Sequence, residues 1–346
     1  NGDIIHAGSI DDPAFGGQAP RVAPDPDRRP LLSSEWMDEF FNTTSLPVGH
    51  GFNLIDRDTG NPEDANFACY SFVPKADIPL KVIILDVTQS SDDGSFDIHG
   101  HGYLDKRRLD WLKAELASGQ ANNQLMIIAA HIPIGVSAIG SHMEWWAGDE
   151  NTKPGYENAV DLVELLNILQ GAPNLLMWLA GHRHFNIVKA FPSLDASRPE
   201  QGFWQVETSS LRDFPQQFRS YDVYLNSDYT VSIEALNVDV AVAEGTPAAQ
   251  SRKFAIAAHQ IVQNNLMPNN PNLATAGGSG TIPIPSMDPT RPQSDNPAAL
   301  DPSIRFEDLS MAGAPVPYHA SCNAELVKPL SAQMVAHLRQ TFAFKD

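Results

Sequence analysis

Apolar residues along this chain fall into short, evenly spaced runs separated by amphipathic stretches. Leu125 to Ala130 and Leu175 to Ala180 are continuous apolar runs, as strands covered on both faces require. Cys69 to Val73 and Lys81 to Asp86 read as two earlier strands, the second rich in Val and Ile and therefore buried. Between these runs lie two helical patterns. One opens near Asp105, sets Leu109, Leu112 and Leu116 on one face, and meets Gly119 near its end. The other runs from about Ala159 to Gln170, with Asn158 as its N-cap and Gly171 as its stop. A short helix from Ser34 to Phe41 precedes all of them, with a serine as N-cap and acids in its first turn.

Past Ala180 the helical spacing gives way to four β-prone runs: Asn186 to Phe191, Phe203 to Glu207, Ser220 to Leu225 and Thr230 to Leu236. Asn226-Ser227-Asp228 is a hairpin connection between the last two. An order of β-α-β-α-β followed by an antiparallel meander predicts an α/β fold, a two-sheet sandwich flanked by helices. The expected organisation is a loop-rich N-terminal segment with a short helix over 1–67, an α/β domain over 68–236, and a C-terminal extension over 237–346. The extension contains a Pro- and Asn-rich stretch at 264–305, read as an extended segment that either wraps the body or floats free of it, and a last helix over Asn323–Phe342 expected to dock on the body.

With 346 residues, the chain is long enough for a large core. Its net charge of −19 argues against nucleic acid and against an anionic membrane surface as partners. Diffuse attraction cannot hold an anionic substrate on such a surface, so any phosphate must be held by local charge, such as a metal ion. Cys69 and Cys322 are too few for a disulfide framework, which leaves the compartment open between cytoplasmic and exported. No apolar stretch matches a membrane-spanning helix, because 125–139 is interrupted by His131 and Pro133.

The two apolar runs end in chemistry. The first leads into His131, and the second into Gly181-His182-Arg183-His184. With 23 glycines and 11 histidines in 346 residues, a Gly-His-x-His arises by chance only about 0.02 times per chain. Neighbouring strands that end in imidazoles can bring three of them to one rigid rim, and neutral imidazole suits zinc, iron, manganese or copper. The structural alternative is a hydrogen-bonded core histidine at 131 and a capped turn at 182–184. Arg183 and Arg212 are candidate phosphate contacts through their guanidinium forks. His99 and His101 lie in a polar loop that could reach over the rim, and Asp86, at a strand end, reads as a turn former or a partner of a histidine.

From Ala68 to about Leu236 the chain resembles the calcineurin-like metallophosphoesterases. The residues that carry the likeness are Leu104-Asp105 with Leu109-Asp110-Trp111-Leu112-Lys113, Ala130-His131-Ile132-Pro133, Gly181-His182-Arg183-His184 and the meander. The resemblance implies two divalent or trivalent metal ions (Mn, Fe or Zn) at the rim between two sheets. His131 and His182 would bind one ion and His184 the other, and the reaction would be hydrolysis of a small phosphate ester, either a monoester or a diester. The family's earlier motifs are absent. These are Asp-x-His, Gly-Asp-x-x-Asp and Gly-Asn-His-Asp, which carry a bridging aspartate, an asparagine ligand and the histidine that protonates the leaving group. Val48-Gly49-His50-Gly51, Asp97-Ile98-His99 and Gly148-Asp149 imitate them out of order or context. The expectation is therefore a carboxy-terminal portion of a larger metallophosphoesterase, completed by an upstream segment of the same protein. Two other readings stay open: a non-catalytic phosphoesterase-like binding module lacking the first-half ligands, and a mononuclear zinc hydrolase on three histidines.

Overall fold

The computed structural model describes residues 25–61, 64–88, 102–134, 160–182, 184, 186–213, 216–252, 254–255 and 323–342. The chain divides into two compact units, Asn1–Ala68 and Cys69–Asp346.

In the first unit, helix α1 (Ser33–Glu39) starts one residue earlier than the serine-capped pattern predicts. Leu32 occupies the N-cap position, and the Glu35 carboxylate accepts the Leu32 backbone N–H at 2.9 Å. Glu35 also takes a two-pronged contact from Arg29, with both bonds at 2.8 Å. That guanidinium holds the Glu35 carboxyl down to about 2. Trp36, Phe40 and Phe52 meet edge to face around this helix, a geometry that aromatic quadrupoles favour.

The second unit is an α/β structure with two sheets. Its larger sheet contains β1 (Tyr70–Phe72), β2 (Leu80–Ile84), β3 (Leu125–Ala129), β4 (Leu175–Ala180), β5 (Ile187–Phe191) and β6 (Phe203–Glu207), in spatial order β1-β2-β3-β4-β6-β5. Strands β2, β3, β4 and β6 run parallel, while β1 and β5 pair antiparallel at the two edges. The smaller sheet is an antiparallel β7-β8-β9, built from Gln217–Leu225, Val231–Asp239 and Ala324–Lys328.

Helix α2 (Lys106–Ala121) is capped by Asp105, whose carboxylate accepts Arg108 N–H at 2.7 Å. Leu109, Leu112 and Leu116 are buried, as their spacing requires. Gly119 is not the cap. A Cβ there would lie 2.3 Å from Met126 Sδ, so glycine permits close approach of α2 to β3, and Asn123, at φ 52°, supplies the left-handed turn instead. Helix α3 (Leu162–Gln170) is capped by Asp161, which accepts Glu164 N–H at 2.8 Å; the expected cap Asn158 lies outside the described residues. The opposite face of the large sheet meets the small one. Ile127, Met177 and Val206 share a buried cluster with Val231, Ile233 and Leu326.

Two sequence expectations change here. The β5 and β6 runs join the first sheet rather than a separate meander, because Phe203, Gln205 and Val206 on β6 are buried on both faces, as an interior parallel strand must be. The expected helix over 323–342 is instead strand β9 followed by helix α4 (Ala332–Thr341), with Ser331 accepting Met334 N–H at 3.2 Å. Leu326 and Lys328 point inward and Glu325 and Val327 outward, a period of two that no helix can satisfy. The small sheet thus takes its third strand from the end of the chain, and β8 itself runs past residue 236. Among the described residues no helix is long and apolar enough to cross a membrane.

Candidate metal centre

Four parallel strands that point the same way leave their carboxyl ends along one edge of the sheet, where α/β folds open their crevices. His131 follows β3 by two residues, and His182 follows β4 by two. The strand ladder continues through the turn and fixes this spacing: Ala130 N–H donates to Leu179 O at 3.0 Å and Gly181 N–H to His131 O at 3.0 Å. On the other side of β4, Thr208 N–H donates to Ala180 O at 2.8 Å. The rings of His131 and His182 therefore meet edge to face, with centroids 5.3 Å apart at an interplanar angle of 81°.

His131 keeps part of its ring open to solvent. The protein packed around the rest lowers its pKa, and the charges of His182 and then His184 act in the same direction. A neutral imidazole is the form that donates a lone pair to a metal. Two protonated rings at this separation would repel.

His182 and His184 both adopt left-handed backbone, at φ 75° and 61°. An L-residue at such an angle is strained unless its surroundings over-determine it, and strain of this kind gathers at binding and catalytic sites. The constraint here is a buried polar relay. Asn186 Oδ1 accepts Ser209 N–H at 3.1 Å, and Asn186 Nδ2 donates to Gln217 Oε1 at 2.8 Å. Gln217 Nε2 donates in turn to Asp239 Oδ1 at 2.9 Å, and Asp239 pairs with the buried Arg252. The relay ties the loop after β4 to both β7 and β8. Beside it, Thr208 Oγ1 and Tyr221 OH lie 3.1 Å apart, bridging the two sheets, and burial raises the tyrosine pKa.

The structure thus brings His131 and His182 into contact and leaves His184 near enough for its charge to act on His131. Arg183, His99 and His101 lie outside the described residues, as do Asp97 and Asp149. Arg212 is exposed on the loop after β6. Asp86 forms a turn: its Oδ1 accepts Thr88 N–H at 2.9 Å, and its Oδ2 lies 3.3 Å from the buried Arg108. The Gly49-His50-Gly51 lookalike is a structural turn in the first unit. His50 Nε2 lies 2.8 Å from Ser45 Oγ, and a Cβ at Gly49 would lie 2.7 Å from the Phe41 ring. Asn186, Gln217 and Asp213 escaped sequence reasoning. The one available signal was Asn186 itself, a residue that readily bonds backbone, placed two positions after the last motif histidine.

Among the described residues no group of three or more His, Cys, Asp or Glu side chains is disposed to hold one metal ion. His131 and His182 follow rigid strand ends, and the lowered pKa of His131 favours the neutral imidazole that a metal ion would need.

No protein-family model matches the chain, and no curated protein matches it in sequence. A solved structure similar to it is a dimetal phosphatase from Danio rerio, 15% identical, aligned over 50% of this chain and 60% of that one with a TM-score of 0.31. The chain thus spans less than two thirds of that protein, and a functional reading rests on this chain's own rim residues.

Proposed function

We propose that this chain forms the histidine side of a metal-dependent phosphoesterase centre on a metallophosphoesterase-like αββα fold. The observation that carries the proposal is the convergence of His131, His182 and His184 at the carboxyl ends of adjacent parallel strands, with His131 and His182 ring to ring. In this reading His131 and His182 hold one ion and His184 borders a second. Bound ions there would polarise a phosphate oxygen and acidify a water molecule. The chain's own contribution is orientation. The β3 and β4 ends hold two rings in fixed apposition, and the Asn186–Gln217–Asp239 relay holds Asn186, two positions after His184. Its acidic surface offers a phosphate ester no general attraction, so selectivity for a small substrate would be decided at the rim itself.

The test is elemental mass spectrometry of the purified chain and of a His131→Ala, His182→Ala, His184→Ala triple variant, with turnover of an aryl phosphate ester in added manganese. Bound metal that disappears in the triple variant, together with turnover, is the expected result. Unchanged metal content in the triple variant overturns the assignment. Metal bound at these histidines without turnover would move the protein to the binding-module reading.

A further inference from the structure

The loop after β6 carries a carboxylate that no motif in the sequence picks out. Ser210 Oγ accepts Asp213 N–H at 3.0 Å, and Ser210 O accepts Gln216 N–H at 3.0 Å, which closes a compact turn. That turn is anchored to the histidine loop on its strand side, where Thr208 N–H reaches Ala180 O and Ser209 N–H reaches Asn186 Oδ1. Its tip brings Asp213 Oδ2 to 3.3 Å from His184 Nδ1.

A neutral imidazole carries its one proton on either nitrogen, and the hydrogen bond made at one nitrogen decides which atom offers a lone pair at the other. An acceptor beside Nδ1 keeps the proton there and leaves Nε2, on the far edge of the ring, as the donor atom. Carboxylates paired in this way with ligand histidines set both tautomer and ring angle.

We propose that Asp213 is the positioning residue of His184: its carboxylate accepts the Nδ1 proton, fixes the ring, and presents Nε2 as the ligand atom. The tautomer half stands on the Asp213–His184 geometry alone; the ligand half rests on the metal-centre reading.

The experiment uses the full chain with ¹⁵N-labelled imidazoles, metal-free, at about pH 8.5, some two units above the ordinary histidine pKa. Long-range ¹H–¹⁵N correlation should show His184 protonated at Nδ1 in the unmodified protein. It should move toward the Nε2-protonated form in Asp213→Ala and remain largely Nδ1-protonated in Asp213→Asn, whose amide oxygen still accepts. A purely structural role for Asp213 would leave this signature unmoved. Zinc affinity, measured by competition with a chromophoric chelator, should fall about 10- to 100-fold in Asp213→Ala. An Nε2-protonated His184 in the unmodified protein, or an unchanged tautomer in Asp213→Ala, overturns the inference. A tautomer that moves as expected in a chain that takes up no zinc upholds the role of Asp213 and overturns the metal reading instead.

Discussion

The left-handed backbone at His182 makes a quantitative demand on stability that ordinary positions do not. At φ 75° the Cβ of any L-residue crowds the following carbonyl, at a cost of about 1–2 kcal/mol that glycine escapes. Glycine gives back about 0.4–1 kcal/mol through the greater freedom of its unfolded chain. The balance favours glycine by about 1 kcal/mol, roughly 2–4 °C in Tm for a domain of this size. His182→Ala and His182→Gly both remove the imidazole and its contact with His131, so their difference isolates the backbone term. Urea unfolding of the two metal-free variants should therefore place His182→Gly above His182→Ala. His337 in α4 supplies the internal control, since it lies within a helix where Ala should exceed Gly by about 1 kcal/mol. An alanine variant at 182 as stable as the glycine variant, with the usual order at 337, would refute the claim that the loop after β4 is held in strain.

Lys328 on β9 is buried, and its ammonium donates to the carbonyls of Glu200 and of Gly202, the latter at 2.6 Å. Burial pushes its pKa down from 10.5 to about 8, only partly offset by Glu200. The unfolded chain therefore takes up this proton first as pH falls, so the stability linked to Lys328 is full above about 10.5 and is lost toward 8. Thermal melts of Lys328→Met should lack this dependence, and the pH-dependent difference between the two proteins should be on the order of 3 kcal/mol; parallel stability curves between those pH values would refute it. On the outer face of the small sheet, Asp222, Glu234 and Glu325 stand in register across three strands. Glu234→Lys should raise stability by roughly 0.5–1 kcal/mol, with the gain shrinking in high salt, and a loss of stability in low salt would show that the three carboxylates do not oppose one another.

The large sheet was legible because its interior strands are almost unbroken apolar runs. Leu125 to Ala129 and Leu175 to Ala180 became β3 and β4 nearly residue for residue. Sheet membership was less legible, since β-propensity says that Ile187 to Phe191 and Phe203 to Glu207 are strands without saying beside what. The pairing of β6 with β4 is settled by contacts across the fold, with Val206 opposite Leu179 and Trp204 opposite Met177. Strand β9 was hidden for the same reason. Ala324 to Lys328 is too short and too mixed to announce itself, and it becomes a strand only because β8 offers an edge with Ile233 opposite Leu326.

Legibility at the rim follows the same division. His131 and His182 could be found because each terminates a run whose burial the sequence declares, and the distance between them follows once β3 and β4 are known to be neighbours. The residues around His184 could not be found that way. Asp213 lies 29 positions downstream, and Asn186 reaches Gln217 across 31, separations that carry no periodicity. What brings them together is the hydrogen bond from Thr208 N–H to Ala180 O, which aligns the loop after β6 with the loop after β4. The strand ladder thus does two jobs at this edge. It sets the apposition of the two rings that the sequence reveals, and it brings the Asp213 carboxylate beside the third. A substitution that shifts β6 against β4 should therefore disturb His184 more than His131, although neither residue lies on β6.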